Sequence, residues 1–428
     1  ERQVEHRVAP IWLTCASLSL RRVYPRRPET GGSGHASSTD GNGHDHRAGS
    51  SGERSDGNQR GEPVGMKTYC RGLRIDRAIV EEAYREWSEA PAGKKNAWRV
   101  AHEHGSAANL IDEVAREIEE RRLAFEPIHR YDHIEPTNGK VRTIGVSSVK
   151  QQLVDYVVVH CCADFLKARV GHYQASSVKG KGATFTMRTI RKWVTGGGPR
   201  FFVKMDVRKC YPSTRHDVVL GIFRKYVASP DVLYCIESLL ATYTGGGLEI
   251  GSYFSLRAEQ LVLSFAYHHV EGLHKERRGK KRALVAHQLW YMDDVLLMGN
   301  DKRDLKAAAR SLERYMRSEL GLELKPWKIC RVGEDEPIDM AGYAVRPSHV
   351  EVRAGTFLRG MRAFRRFKRK PCLRRARRVT SYMGYFKHAD CDSLIERNDM
   401  HATMRAARRY VSRSAHAANN IGDTARRR

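Results

Sequence analysis

Two adjacent aspartates, Asp293 and Asp294, lie between the apolar runs Leu289-Trp290-Tyr291-Met292 and Val295-Leu296-Leu297-Met298. Each run is short and rich in residues that suit a pleated, half-buried surface. Each therefore reads as a strand, and the acidic pair as the tip of a hairpin. That placement is costly, because neighbouring carboxylates repel and an apolar hairpin strips them of water. A solvated Asp-Asp turn would escape the cost. A divalent cation would offset it, and hard carboxylate oxygens suit Mg²⁺, which completes its shell with water and substrate phosphates. This stretch alone leaves both readings open.

A second acidic strand lies upstream. Phe201-Phe202-Val203-Lys204-Met205-Asp206 ends in a carboxylate and is followed by Val207-Arg208-Lys209-Cys210-Tyr211-Pro212-Ser213. Nucleotidyl transfer needs carboxylates from separate strands to clamp two metal ions about 4 Å apart. Asp206 with Asp293 and Asp294 has that layout. Tyr291-Met292-Asp293-Asp294 and the Asp206 strand resemble motifs C and A of reverse transcriptases. Gly251-Ser252-Tyr253-Phe254-Ser255, between them, resembles motif B. The resemblance runs from about Asn138 to Asp390, and the order and spacing of its motifs make it specific. It implies an α+β right-hand polymerase with fingers, a split βαβ palm and a helical, basic thumb. It also implies RNA-templated DNA synthesis from dNTPs on a primer. The catalytic Asp206, Asp293 and Asp294 would hold two Mg²⁺ ions, with Mn²⁺ as a substitute.

Charge points to a polyanionic partner. The 428 residues carry a net +27, and residues 351–428 hold 21 Lys/Arg against 6 Asp/Glu. Nine cysteines without a Cys-x-x-Cys pair suggest reduced thiols and a cytoplasmic setting. No run of 18 apolar residues occurs, so no membrane span is expected.

Composition and motifs divide the chain into five parts. Residues 1–65 read as a disordered or non-native tail rich in Gly, Ser, Asp and His, with Met66 as the natural start. Residues 66–130 read as a helical extension. Its first helix is capped by Asp76, carries Ile79, Val80, Ala83 and Trp87 on one face, and stops near Pro91. Fingers (131–200), palm (201–350) and a thumb with a basic tail (351–428) follow. About 40 residues follow Ser381-Tyr382-Met383-Gly384-Tyr385 without a metal-ligand cluster, so a nuclease or integrase is not expected. Lys275-Glu276-Arg277-Arg278-Gly279-Lys280-Lys281-Arg282 reads as a basic loop, either a solvated turn or a nucleic-acid contact.

In the fingers, Asn138-Gly139 signals a hairpin turn, and Lys140 and Arg142 share a strand face. The resemblance implies that this pair grips the incoming triphosphate. Lys179 and Lys181 stand at the place of motif 2, which tracks the template backbone. Tyr211, five residues after Asp206, is implied as the aromatic that blocks a 2′-hydroxyl. Gly251 would let the backbone approach a base pair. Lys325 occupies the motif D position beside the leaving pyrophosphate. In the thumb, interleaved aromatics read as core, and Arg362, Arg365, Arg366 and Arg369 as contacts to duplex phosphates.

Ile250 stands where many reverse transcriptases carry glutamine. An aliphatic residue there resembles the enzymes of diversity-generating retroelements, although Leu256 departs from that pattern. Packing under the palm would also explain Ile250. The resemblance as a whole points to the prokaryotic branch of retrons, group II intron-like enzymes and diversity-generating retroelements, with a role in retroelement mobility or antiviral defence. An accessory protein or a structured RNA encoded nearby is an expected partner. Alternatives are an RNA-dependent RNA polymerase, a template-independent polymerase, or a non-catalytic nucleic-acid-binding palm. Tyr211 argues against the first, and the three retained carboxylates against the last.

Overall fold

The computed structural model describes residues 68–135 and 139–426, with side chains to residue 414. The expected tail, Met66 and Asn138 lie outside the described residues. Asp76 caps α1 (Arg77–Glu89), its carboxylate accepting the Ile79 N–H, and Val80, Ala83 and Trp87 are buried. α1 stops at Glu89, as expected near Pro91, and a second helix opens at once. Pro91 is the first residue of α2 (Pro91–His104), a position where its missing N–H costs nothing and its fixed φ suits the helix. Ser106 caps α3 (Ala107–Glu119), which buries Leu110, Ile111, Val114 and Ile118.

Next come the antiparallel hairpin β1 (His129–Ile134) and β2 (Val141–Val146), then α4 (Val149–Cys161), α5 (Ala163–Arg169) and α6 (Ala183–Val194). The central segment runs β3 (Phe201–Asp206), α7 (Cys210–Ser213), α8 (His216–Tyr226), α9 (Pro230–Ala241) and α10 (Tyr253–Glu271). A small ribbon, β4 (His274–Arg277) and β5 (Lys280–Ala283), replaces the expected basic loop. β6 (His287–Tyr291), β7 (Asp294–Gly299), α11 (Lys302–Glu319) and β8 (Ile329–Arg331) complete the palm. A three-stranded sheet of β9 (Ile338–Met340), β10 (Tyr343–Val345) and β11 (Val350–Val352) leads to α12 (Ala354–Arg369), α13 (Leu373–Phe386), α14 (Asp392–Arg397) and α15 (Met400–Arg426).

The fold is α+β. The palm sheet has the order β6-β7-β3-β8 with antiparallel neighbours, the arrangement of a split βαβ unit. Side chains alternate between two cores, as the period of two requires. Val203, Met205, Trp290, Val295 and Leu297 face the core shared with α1, α4, α10 and α11. Phe202, Leu289, Leu296 and Met298 face a second core shared with α6, β9–β11 and the C-terminal helices. This double burial explains why these strands read as nearly unbroken apolar runs.

The N-terminal helices are stapled to both fingers and palm. Trp87 Nε1 donates to Gln152 on α4 at 3.3 Å, and the buried Asp231 on α9 accepts the Ile75 N–H at 3.0 Å and Arg121 at 2.6 Å.

In the second core, Phe364, Phe367 and Phe386 are buried, as expected of thumb aromatics. Gly360 on α12 makes room for Phe386: a Cβ there would stand 2.5 Å from its ring. Glycine to alanine inside a helix ordinarily gains about 1 kcal/mol. Here the ring is fully buried and has nowhere to retreat. Gly360→Ala is therefore expected to lower stability by about 1–3 kcal/mol, measured as a fall in the urea midpoint. A raised midpoint would show that the ring can move.

Candidate active site

Strand register sets Asp206 directly opposite Asp294, so their side chains leave the sheet on one face. Tyr291 pairs with Asp294, which leaves Met292 and Asp293 as a two-residue turn. Met292 holds φ 53°, a left-handed value that hairpin turns use and that costs a non-glycine residue about 1–3 kcal/mol. The Asp293 carbonyl accepts the Val207 N–H at 3.0 Å, which clamps the turn to the end of β3.

Two lysines hold the carboxylates. Lys204, on the same face as Asp206, reaches Asp294 at 3.1 Å, and Lys325 reaches Asp206 at 2.6 Å. The Lys325 contact is an ion pair without a directed hydrogen bond to Asp206 Oδ1. Burial, and then the charges of Asp294 and Asp206, push Asp293 up to about 6, while Arg142 pulls it down. Burial also raises Asp294, against the pull of Lys204.

The donor set fits divalent cations. Three hard carboxylates repel one another at a partly desolvated strand end, and cations already sit against two of them. Among the described residues, no three of His, Cys, Asp or Glu are gathered as a ready cage. Metal ions would have to draw Asp206 and Asp294 off their lysines.

The family model of reverse transcriptases (RNA-dependent DNA polymerases) matches residues 132–345. The chain belongs to the reverse transcriptase family. No curated protein matches it. Among solved structures it is similar to an apo telomerase from Candida tropicalis truncated from the C-terminal domain, with 14% identity and a TM-score of 0.37. That match covers 53% of this chain and 54% of the telomerase chain, so the chain spans about half the length of that relative.

Around the family's acidic pair, the fingers come close through Arg142. Its charge acts on Asp293, while its Nε donates to Glu135 at 2.5 Å. Lys140 is exposed beside it, at the start of the run into β2. Tyr211 lies beneath the turn, buried, and its hydroxyl is raised well above the usual range by burial and then by Glu259, Cys210 and Asp293. Residues 173–175 add to the β6 edge: Trp290 N–H donates to the Tyr173 carbonyl, and Ala175 N–H to the Trp290 carbonyl. Lys179 is exposed beyond this segment. Lys181 turns inward, donating to the His172 carbonyl and lying 5.7 Å from the Phe185 ring. The thumb arginines Arg362, Arg365, Arg366 and Arg369 are exposed and spaced to form one helix stripe.

Gly251 also has a packing reason. It holds φ 122°, and a Cβ would stand 2.2 Å from the Gly145 carbonyl of β2. The Gly145 N–H in turn donates to the Ile250 carbonyl at 2.8 Å. Ile250 itself is half-buried against the palm core. Motif B is thus stitched to the fingers strand, with Arg130 and the buried Glu249 closing the seam at 2.7 Å.

Two buried acids escaped the sequence reading. Glu259 on α10 lies under Tyr211 and accepts from Cys210 Sγ at 2.7 Å; burial pushes it up to about 7. Asp155 on α4 accepts Ser252 Oγ at 2.9 Å and the Tyr253 N–H at 3.0 Å, which ties the start of α10 to the fingers. Its other oxygen is buried without a partner, and burial raises the group from 3.8 to about 7. The signal for both was a lone carboxylate in an apolar helical run.

Asp155 should therefore tie stability to pH. The folded protein keeps its proton up to about pH 7, whereas the unfolded chain loses it near 3.8. Unfolding releases that proton between these values, so this group's contribution falls as pH rises through the window. An asparagine at this position would not titrate. Relative to wild type, Asp155→Asn should gain up to about 1.4 kcal/mol per pH unit across the window and level off above it, measured by urea unfolding at stepped pH. Parallel curves would show that Asp155 is ionised in the fold.

Proposed function

We propose that this chain copies RNA into DNA by joining dNTPs to a primer 3′-hydroxyl. The observation that carries this reading is the pairing of Asp206 with Asp294 beside the strained Met292–Asp293 turn. Asp206 and Asp293 would hold two Mg²⁺ ions, with Asp294 assisting. When bound, the ions neutralise the triphosphate and lower the pKa of the attacking hydroxyl. Lys140 and Arg142 bind the triphosphate, Arg in a fork and Lys as a point charge. Lys325, released from Asp206, faces the leaving pyrophosphate. The Tyr211 ring closes the space a 2′-hydroxyl would need. Ile250 and Gly251 shape the floor under the new pair. Lys179, and Lys181 once turned outward, meet the template backbone. The α12 arginines follow the template–primer duplex. The motif pattern favours the prokaryotic branch of retrons, group II intron-like enzymes and diversity-generating retroelements, acting in the cytoplasm with an accessory protein or structured RNA.

Asp293→Ala should lower Mg²⁺-dependent extension roughly a thousand-fold, since several kcal/mol of charge stabilisation go with the metal. RNA binding should persist, because basic surfaces supply most of that affinity. Extension at wild-type rates would defeat the assignment.

Sugar choice gives a separate check. Tyr211→Ala should narrow the dNTP over rNTP preference by about 10–200-fold, the range for a small steric difference. Tyr211→Phe should keep the preference, because the ring and not the hydroxyl acts. Unchanged discrimination in Tyr211→Ala would remove the gate.

A further inference from the structure

The β4–β5 ribbon springs from the end of β6 opposite the Met292–Asp293 turn. Its base is closed by the Leu284 N–H on the Leu273 carbonyl and by Lys275 on Asp304. Residues 285–292 separate this base from the aspartates, and β6 supplies five of them, roughly 16 Å of strand. Every ribbon residue except Lys275 is exposed.

Register decides which side chains share a face. Lys275 pairs with Arg282, and Arg277 with Lys280. Pairs two residues apart on an antiparallel ribbon point the same way, so these four cations occupy one face. The other face carries His274, Ala283 and the opposite-charge pair Glu276–Lys281. Like charges set directly across from each other destabilise a strand pair, and an isolated two-stranded hairpin is marginal to begin with. The turn adds a further cost: Arg278 holds φ 53° beside Gly279 at φ 69°, where asparagine would sit more easily. Arg277, Arg278, Lys280 and Arg282 line one cleft. A ribbon that concentrates cations against its own stability is built to be neutralised by a polyanion.

We propose that this face is a second RNA-binding surface, which grips the phosphates of a duplex RNA segment outside the copying cleft. The choice of RNA rests on the reverse transcription reading: before synthesis starts, the template is the one long polyanion the reaction requires. Phosphate contacts of this kind position an RNA without reading its sequence.

The test uses the full chain with Arg277, Arg278, Lys280 and Arg282 all changed to Gln and each changed singly, beside Lys281→Gln as a single change on the other face. The probe is a blunt 30-base-pair RNA duplex, titrated over a range of salt. The fourfold variant should bind it at least tenfold more weakly, with a log–log salt slope shallower by about 2–4, one unit for each lost phosphate contact. Lys281→Gln should match wild type. Extension of a short template–primer should keep its kcat and KM. Ultraviolet crosslinking of a stalled complex should place 274–283 on the RNA strand. An unchanged slope would overturn the proposal, as would equal weakening in Lys281→Gln or loss of short-primer extension. A crosslink to product DNA alone, or a loss of binding to phosphatidylserine vesicles greater than the loss on RNA, would also overturn it. Binding is read without catalysis. A chain that never extends a primer but loses slope as expected would sink the polymerase reading and leave the RNA surface standing.

Discussion

Repulsion among three carboxylates at the end of one sheet is the constraint around which the rest of the palm is arranged. β3 and β7 are buried on both faces along most of their length, which fixes their register and so fixes Asp206 opposite Asp294. A slip of one residue would exchange the contents of two cores, and neither could accept the trade. The charges are thus held by packing that occurs elsewhere in the same strands. The apolar face opens only where Lys204, Asp206 and Asp294 emerge, each still partly exposed. Two lysines satisfy the site in this structure, and their ammonium groups mark where positive charge belongs.

A second constraint joins the fingers to that palm. A Cβ on Gly251 would meet the Gly145 carbonyl and one on Gly145 the Glu249 side chain, so the two backbones approach closely and one hydrogen bond crosses the gap. Asp155 does the same from the helix that follows β2, capping α10 with a carboxylate. Arg142 lies on β2, so the cation that acts on Asp293 is positioned by glycines and a buried acid far from it in sequence. Arg142 and the acidic turn are therefore coupled through one seam.

The sequence made the acidic hairpin and its partner strand legible because both cost something locally. Adjacent carboxylates in an apolar run demand a reason, and the spacing of Asp206 from them supplies one. Capping by Asp76 and the inward face of α1, with Val80, Ala83 and Trp87 fully buried, followed from local periodicity. What stayed hidden depends on pairs that are distant in the chain. Nothing near Gly251 names Gly145, and nothing near Pro91 says that the proline at the end of one helix also opens the next. Asp155 and Glu259 did not stand out, since burial on all sides cannot be read from a helix alone. The basic stretch at 275–282 gave its charge but not its ribbon, because alternating cations carry no hydrophobic period.

The division of the core follows the sheet and not the names of the domains. One face of the palm sheet belongs with the N-terminal helices, α4 and the palm helices. The other belongs with α6, the β9–β11 sheet and the thumb helices. The thumb is therefore not a free lobe. Phe386 packs against α12 at Gly360, and Tyr385 against the Ala341–Gly342 turn between β9 and β10, where a Cβ on Gly342 would meet its ring at 2.7 Å. The same short sheet touches α6, which lies directly after the segment that extends the β6 edge. Movement of the α12 stripe relative to the aspartates must then be carried through β9–β11, because close-packed side chains shift between discrete arrangements and do not flow. A duplex held by Arg362, Arg365, Arg366 and Arg369 would transmit its position to the aspartates through that same small sheet.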